Sequence, residues 1–313
     1  MKRPTSFSEF HGQANAIAQL KVPVKAAQRS GKVFGHTLLS GPRGLGKTTL
    51  AGVIGAEMGA SVVSLNAAAI EKPQQLLNAL TLLKAGQILF LDEIHMLQRG
   101  MHEHLYTAME DNKLTIVLGE GKDAKAYPVD LEPFTLVGAT TREGLLPAPL
   151  LDRFKHNVKL DLYEDDEMAQ VLKWICGGTG FSIDAEALSL LVPACHGTAR
   201  HAVTLLDATT DTFYAIDEPG FGSMGMLPKE IDGVIVRGTL SRLGFRKGLN
   251  RNEITLLKQL AAGPKGLTTL AAVLDEEAIT VETVYEPWLL RKGLIVKKPG
   301  GREITAAGLE AIA

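Results

Sequence analysis

The sequence predicts an α/β protein: a mostly parallel sheet covered by helices, then a helical segment, then a small C-terminal head. Three observations carry this. Short apolar runs alternate with helical stretches through the first half of the chain. One of those runs opens into a glycine-rich loop followed directly by a helix. The last stretch, 239–313, reads as three helices and a basic hairpin, the outline of a winged helix.

The apolar runs are Thr37-Leu38-Leu39, Val62-Val63-Ser64-Leu65, Ile88-Leu89-Phe90-Leu91, Phe134-Thr135-Leu136-Val137 and Val158-Lys159-Leu160. Strands buried on both faces read as continuous apolar runs, and their alternation with helices argues for a parallel sheet. Binding then belongs at the carboxyl ends of the strands. The segment Leu114 to Leu131 alternates around Gly119-Glu120-Gly121 and reads as an inserted β-hairpin.

The loop Gly41-Pro42-Arg43-Gly44-Leu45-Gly46-Lys47-Thr48 fits the phosphate-binding pattern G-x-x-x-x-G-K-[ST]. It lies between the first predicted strand and a helix over Thr48 to Met58, the context in which the pattern has a mechanism. Gly44 and Gly46 let backbone N–H groups close around phosphate oxygens, and the helix N-terminus adds partial positive charge. Lys47 reaches the β- and γ-phosphates of a nucleoside triphosphate such as ATP, and the Thr48 hydroxyl ligates Mg2+.

From about Asp165 to Ile235 the pattern is helical, with Asp184 as a cap for the helix carrying Leu188, Leu190 and Leu191. The tract Glu218 to Gly225 is rich in breakers and reads as a surface loop. In the head, Asn252 is expected to cap a helix carrying Ile254, Leu257 and Leu260. A second helix covers Leu267 to Leu274 and a third runs from about Thr280 to Arg291. Leu294-Ile295-Val296 and Glu303-Ile304-Thr305 then flank a turn, closing a hairpin. The expected domains are 1–165, 166–236 and 239–313.

The chain has 313 residues and a net charge of −2, so any nucleic-acid contact must come from a local patch. No apolar stretch approaches the ~20 residues that span a bilayer. Met1-Lys2-Arg3-Pro4 is followed by polar residues, so no secretory signal is expected. The two cysteines, Cys176 and Cys195, fit buried thiols in a reducing cytoplasm.

Beyond the loop, the chemistry sits at few positions. Asp92 and Glu93 end the run Ile88 to Leu91, which carries them beside the phosphate loop. Asp92 can hold the Mg2+ water shell, and Glu93 can act as general base on the attacking water. A third strand ends Gly138-Ala139-Thr140-Thr141-Arg142, and a hydroxyl there can contact the γ-phosphate or the water. Arg153 ends a helix before a strand and can serve as an arginine finger for a neighbouring subunit. Arg200, at the start of a helix, can report hydrolysis. His95, His102 and His104 lack a further spaced ligand, and a helix turns the last two to different faces. No zinc site is expected there. Arg291, Lys292, Lys297, Lys298 and Arg302 lie together with no acid between 291 and 302. Such a cluster is most often a solvated edge, but on a winged helix it is placed to touch DNA phosphates.

These residues, taken with further motifs, resemble the RuvB family of AAA+ ATPases, the bacterial Holliday-junction branch-migration motors. The further motifs are Gly12-Gln13, Ala69-Ile70-Glu71-Lys72-Pro73, Leu91-Asp92-Glu93-Ile94-His95, Ala108-Met109-Glu110-Asp111, Ala148-Pro149-Leu150, Asp152-Arg153-Phe154, Gly197-Thr198 and Val284-Tyr285-Glu286-Pro287. They run in the family's order over nearly the whole chain. The resemblance implies a AAA+ P-loop lobe, a helical lid and a winged-helix head, assembled as a homohexamer with nucleotide between subunits and branched double-stranded DNA through the centre. It places Lys2, Arg3, Gly44, Gly46, Lys47, Thr48, Thr49, Glu110, Asp111, Asn112, Arg153, Tyr163 and Arg200 around ATP, with Thr141 as sensor. It gives DNA to Lys297 and Arg302, beside which Lys298 is expected to join the contact, and a RuvA-like partner to hairpin 114–131.

The chain also departs from the family. Arg43 stands where a proline is expected, Leu151 where an arginine is, Lys155 where a glycine is, and Ala199 where a proline is. Gly300 replaces a wing arginine, Lys298 is an added charge, and the hairpin from Glu120 to Pro128 shares little with the usual pattern. The expected function is an ATP-driven motor for branch migration. The alternatives are a helicase loader or replication initiator, and a nucleotide-gated DNA-binding protein with little turnover.

Overall fold

The structure is a computed structural model and describes residues 3–118, 125–215 and 229–313. Lys2, the expected hairpin tip Gly119-Glu120-Gly121 and the tract Glu218 to Gly225 lie outside the described residues. The chain forms two compact units, one over Arg3–Asp161 and one over Leu162–Ala313.

The first unit begins with α1 (Ala14–Ser30), which buries Ala16, Ile17, Leu20, Val24 and Ala27 at helical spacing and stops at Gly31 in the left-handed region. There follow β1 (Thr37–Ser40), α2 (Lys47–Met58), β2 (Val62–Asn66), α3 (Pro73–Thr81), β3 (Ile88–Asp92), α4 (Arg99–Asp111), β4 (Lys113–Leu118), β5 (Lys125–Asp130), β6 (Thr135–Thr140), α5 (Ala148–Leu151) and β7 (His156–Lys159). The sheet order is β2-β3-β6-β1-β7. Every pairing in it is parallel, with Leu38 opposite Gly138, Leu91 opposite Gly138 and Thr37 opposite His156. The central strands β1 and β6 are buried along their whole length, which is why they read as unbroken apolar runs.

β4 and β5 pair only with each other, from Lys113 opposite Asp130 to Leu118 opposite Lys125. At the base of this hairpin Leu114 and Leu131 enter the core with Leu105, Met109 and Phe134.

The second unit opens with α6 (Asp165–Thr179), held by a capping box between Glu164 and Glu167. β8 (Ser182–Ile183), α7 (Ala185–Ala194), α8 (Ala199–Ala215), β9 (Glu230–Ile231) and α9 (Gly233–Arg242) complete the helical segment. Asp184 caps α7 as expected, its Oδ1 accepting the Ala187 N–H at 2.6 Å. The head comprises α10 (Arg251–Ala261), α11 (Leu267–Leu274), α12 (Ala278–Thr280), a π-helical turn over Val281–Tyr285, α13 (Glu286–Arg291), the hairpin β10 (Ile295–Lys298) and β11 (Gly301–Ile304), and α14 (Ala306–Ile312). Leu256, Leu257, Leu260, Leu270, Val281, Leu289 and Ile295 form its core. Lys265 adds a short third strand by exchanging two backbone hydrogen bonds with Arg302.

Three features of the head differ from expectation. The cap of α10 is Asn250, not Asn252. Asn250 and Glu253 exchange side-chain and backbone bonds as a capping box, which a glutamate three residues after the cap makes possible. Asn252 lies inside the helix and donates to the Tyr285 hydroxyl at 2.8 Å. The third helix is broken by the π turn just before Pro287, which has no N–H to give and whose ring displaces the carbonyl four residues back. Finally, α14 closes the chain, capped by the Thr305 hydroxyl on the Gly308 N–H.

His196 and Glu253 form a buried polar centre in this unit. His196, in a left-handed turn between α7 and α8, places Nε2 2.9 Å from the Gly248 carbonyl and 3.3 Å from Glu253 Oε2. A carbonyl only accepts, so Nε2 carries the proton. Burial pulls His196 down to about 4, against the Gly248 bond. Burial pushes Glu253 up to about 8, against the Asn250 N–H bond. The contact is therefore between two neutral groups at pH 7 and not an ion pair. Between the ordinary 4.5 and about 8 the unfolded chain loses the Glu253 proton while the folded chain keeps it. Stability from this group is full below that window and is lost as pH rises through it. Glu253→Gln removes this titration. Its stability advantage over the wild-type chain should grow by up to about 1.4 kcal/mol per pH unit between about pH 5 and 8. Urea unfolding read by tryptophan fluorescence measures it, since both tryptophans, Trp174 and Trp288, lie in this unit. An advantage that stays flat with pH would mean that Glu253 is ionised in the folded chain.

Candidate active site

The phosphate loop leaves β1 at Ser40, and the Gly41 N–H donates to the Thr140 carbonyl at 3.2 Å. Gly41 has φ 138°, and a Cβ there would collide with the Leu160 carbonyl oxygen. Only glycine fits that seat. Gly44 and Gly46 are also left-handed, with φ 80° and 96°. Buried Leu45 plugs the loop into the core. Gly46 is the N-cap of α2 and has no side chain to cap with, so the first N–H groups of the helix face the loop, the arrangement that binds phosphate. Lys47 is buried, and its ammonium donates to the carbonyls of Gly41 (2.6 Å) and Pro42 (2.8 Å). Thr48 is exposed and Thr49 half-buried on the first helical turn.

Parallel pairing brings the carboxyl ends of β1, β3 and β6 to one edge, so Asp92, Glu93 and Thr141 share that edge with the loop. Asp92 Oδ1 accepts the Glu93 N–H at 3.0 Å. Glu93 has φ 50°, which turns its side chain out of the strand direction. Glu93 Oε2 accepts from the Thr141 hydroxyl (3.0 Å) and the Thr141 N–H (3.3 Å), and lies 3.3 Å from His95 Nδ1. His95 Nδ1 is also 2.9 Å from the Thr140 hydroxyl. Arg43 Nε approaches Glu93 Oε1 at 3.8 Å. Burial lowers the pKa of His95; Glu93 opposes this, and Arg142, Arg43 and Lys47 add to it. The lowered pKa favours the neutral imidazole, so this contact is not an ion pair. Sequence reasoning placed Glu93 and Thr141 near the phosphates but missed their bond to each other and this collar of Arg43, His95 and Thr140. Only the adjacency of His95 to Asp92-Glu93 signals it.

The other expected nucleotide contacts divide into separate places. Helix α4 runs ~20 Å at 1.5 Å per residue, and near its end the Met109 carbonyl meets the ring of His36, one residue before β1. Glu110, Asp111 and Asn112 therefore lie at the amino ends of the strands. Arg153 lies there too, three residues before His156, which pairs with Thr37 at the start of β1. Its guanidinium donates to Glu110 Oε2 (2.8 Å) and the Pro149 carbonyl (2.6 Å) and stands 4.6 Å over the Tyr106 ring. Strands of four to six residues at ~3.3 Å each separate this edge from the phosphate loop. Arg3 is exposed in the first unit. Tyr163 is buried in the second, its N–H donating to the Gly197 carbonyl at 2.9 Å, and Arg200 is exposed on the first turn of α8.

The basic cluster of the head differs most from its sequence reading, because the fold brings acids that lie outside 291–302. Arg302 donates to both oxygens of Glu286 (2.6 and 3.3 Å), and Lys297 meets the same carboxylate at 2.7 Å and Glu282 at 3.5 Å. Glu286 is fully buried and the Arg302 side chain is 14% exposed, so Arg302 fastens the hairpin to α13 and is turned inward. Lys297 and Lys298 are 43% and 56% exposed, and Lys298 pairs with Glu303 at 2.5 Å. Arg291 and Lys292 bond to Glu164 and Asp165.

Residues 2–160 match the family described as the Holliday junction DNA helicase RuvB P-loop domain, and residues 246–313 match the RuvB C-terminal winged helix domain. A curated relative, the Holliday junction branch migration complex subunit RuvB of Kosmotoga olearia, is 40% identical over 303 residues, covering 97% of this chain and 87% of its own. The chain belongs to the RuvB family. Its fold is also that of solved RuvB structures. A mutant of Thermotoga maritima RuvB is 35% identical with a TM-score of 0.85, over 99% of this chain and 98% of that one. The Thermotoga maritima RuvB Holliday junction branch migration motor is 34% identical with a TM-score of 0.84, over 98% and 97%. As a RuvB-family P-loop ATPase the chain binds nucleotide. No helix among its described residues is long and apolar enough to cross a membrane.

Breaking a buried ion pair leaves an uncompensated charge. Arg302→Ala should therefore lower the unfolding free energy of the Leu162–Ala313 unit by on the order of 3 kcal/mol, measured by urea unfolding with tryptophan fluorescence. Replacing Glu286 and Arg302 together by leucine and methionine should recover much of that loss. A single variant as stable as the wild-type chain would show that Arg302 does not anchor the hairpin.

Proposed function

We propose that the chain drives branch migration of Holliday junctions with ATP, as one of six copies in a ring around DNA. The observation that carries the ring is the division of the nucleotide-contacting set. Lys47, Asp92, Glu93 and Thr141 occupy the carboxyl edge of the sheet, whereas Arg153 with Glu110, Asp111 and Asn112 occupies the amino edge. One chain cannot bring Arg153 to its own phosphates, so a second copy must supply it. The ATPase lobe 1–165, the lid 166–236 and the head 239–313 are its functional parts.

In this reading the loop N–H groups, with Gly44 and Gly46, cradle the phosphates while Lys47 neutralises the β and γ oxygens. Glu93 leaves its collar to take the proton of the attacking water, and Thr141 holds both in line. Arg153 of the adjacent copy stabilises charge on the transferring phosphoryl group. Thr49, Arg3, Lys2, Tyr163 and Arg200 surround the nucleotide, with Arg200 reporting its hydrolysis. The Thr48 hydroxyl and Asp92 carboxylate are hard oxygen donors of the kind Mg2+ takes, and Mg2+ bound there would supply charge neutralisation across the β and γ oxygens. Lys297 and Lys298, the exposed cations of the hairpin, touch DNA phosphates, and Arg302 sets their geometry. Hairpin 114–131 meets a RuvA-like protein, and the assembly works in the cytoplasm.

Migration of a four-way junction with ATP, with and without a RuvA-type protein, tests the whole reading. Strong ATPase stimulation by junction DNA separates it from a helicase loader. Glu93→Gln should bind ATP and hydrolyse it at least a hundredfold more slowly; normal turnover would remove Glu93 as the base. Arg153→Ala should bind ATP without hydrolysing it, and mixing it with Lys47→Ala subunits should restore activity at mixed interfaces. No rescue would rule out a finger acting between copies. Replacing Lys297 and Lys298 by alanine should weaken junction binding and lower its salt slope by about 2. An unchanged slope would move the DNA contact off the hairpin.

A further inference from the structure

Arg291 and Lys292 belong to the basic run of the head, and both are engaged by partners within the chain. The Arg291 guanidinium donates to the Leu162 carbonyl and the Glu164 carboxylate. Lys292 Nζ lies 2.8 and 2.9 Å from the two oxygens of Asp165 and 4.6 Å over the Trp288 ring. Their acceptors sit in the four residues Leu162 to Asp165, the segment that holds Tyr163 and opens α6. Nearby, His196 enters the head from the turn before α8. Its Nε2 meets the Gly248 carbonyl and Glu253, and its ring packs on Trp288 (centroids 5.6 Å apart) and Phe245 (6.1 Å). Gly248, with φ 79°, is pressed so close to Pro193 that a Cβ would lie 2.7 Å from it. The two gripped segments are joined to each other by the Tyr163 N–H bond to the Gly197 carbonyl.

This is a closed mechanical loop. The segment 162–165 and the turn at 195–198 cannot shift without carrying α13, because Arg291, Lys292 and Trp288 all belong to that helix or its last turn. Three residues beyond Lys292 the chain enters β10, which bears Lys297 and Lys298. At the other end, the same two segments carry Tyr163 and lead into the first turn of α8, where Arg200 lies. We infer that this joint is the coupling element of the motor, with Arg291, Lys292 and His196 as positioning residues that pass a change at Tyr163 and Arg200 to the DNA-facing hairpin. The inference rests on the proposed placement of Tyr163 and Arg200 at the nucleotide. An exposed ion pair alone is worth little. Here two such pairs, a carbonyl contact and a buried histidine act on one short segment and one turn, which makes the set stiff in direction even where each contact is weak.

The test separates coupling from both chemistry and DNA binding. Arg291→Glu with Lys292→Glu turns the clamp into a repulsion. The full-length double variant should keep the wild-type kcat and KM for ATP without DNA, and the wild-type junction affinity and salt slope. The number of base pairs migrated per ATP should fall about tenfold. Adding Glu164→Lys and Asp165→Lys in the same chain rebuilds the clamp with reversed charge and should restore that ratio. His196→Ala should uncouple in the same way, and His196→Gln, which keeps an N–H for the Gly248 carbonyl, should do so less. Tryptophan fluorescence on urea unfolding checks that each variant is folded, and the charge-reversed quadruple variant keeps the test decisive if the double variant is not. A ratio that stays at the wild-type value in the folded double variant overturns the inference. A loss of junction affinity with a salt slope lower by about 2, not restored by the reversal, also overturns it, because Arg291 and Lys292 would then be DNA contacts. If the wild-type chain itself moves no junction, the functional reading fails and this inference with it, an outcome distinct from loss of coupling in a working motor.

Discussion

The parallel pairing of β1 with β6, and of β6 with β3, is the constraint on which the site depends. It aligns three carboxyl ends at one edge, so that a phosphate loop, a carboxylate pair and a hydroxyl arrive together from positions 41, 92 and 141. A slip of one residue would turn every side chain of a strand to the other face. Both faces of β1 and β6 are buried, so close packing holds the register: at Gly138 a Cβ would lie 3.1 Å from Ile94 and from Phe154. The same register also sends Arg153 and the end of α4 to the opposite edge. One geometric fact thus gathers the loop, the carboxylates and the hydroxyl at one edge and holds Arg153 at the other.

The head obeys a different economy, governed by Glu286. A carboxylate with no exposure is tolerated only when it is paired, and it is paired twice, by Arg302 and Lys297. Those pairs fix the hairpin against α13 and decide which cations face outward. Positive charge in the sequence therefore does not equal positive charge at the surface. Each of the five basic residues between 291 and 302 has an acidic partner, and Arg302 is the one turned inward while Lys297 and Lys298 are the most exposed.

The parts of this structure that were legible in the sequence are those fixed by local physics. Doubly buried strands are apolar throughout, and the phosphate loop needs glycine at Gly41, Gly44 and Gly46 because the backbone there is left-handed. The segment 114–131 alternates because it is a hairpin. What escaped depends on partners distant in sequence. Glu93 and Thr141 are 48 residues apart, and Arg291 finds Glu164 across 127. No local pattern encodes such pairs. Two misses were avoidable: the glutamate three residues after Asn250 marks the true cap of α10, and Pro287 forbids a regular third helix. Whether Arg302 reaches solvent was decided by a buried glutamate whose burial only the packed head reveals.

Among the described residues, the hairpin β4–β5 pairs its strands with each other and enters the core at its base, through Leu114 and Leu131. It is a graft on the α4–β6 connection, sharing no hydrogen-bonded edge with the catalytic sheet. The described strands of this limb can therefore change their outward side chains while Leu114 and Leu131 hold its root, and the sheet that carries the phosphate loop is left as it was.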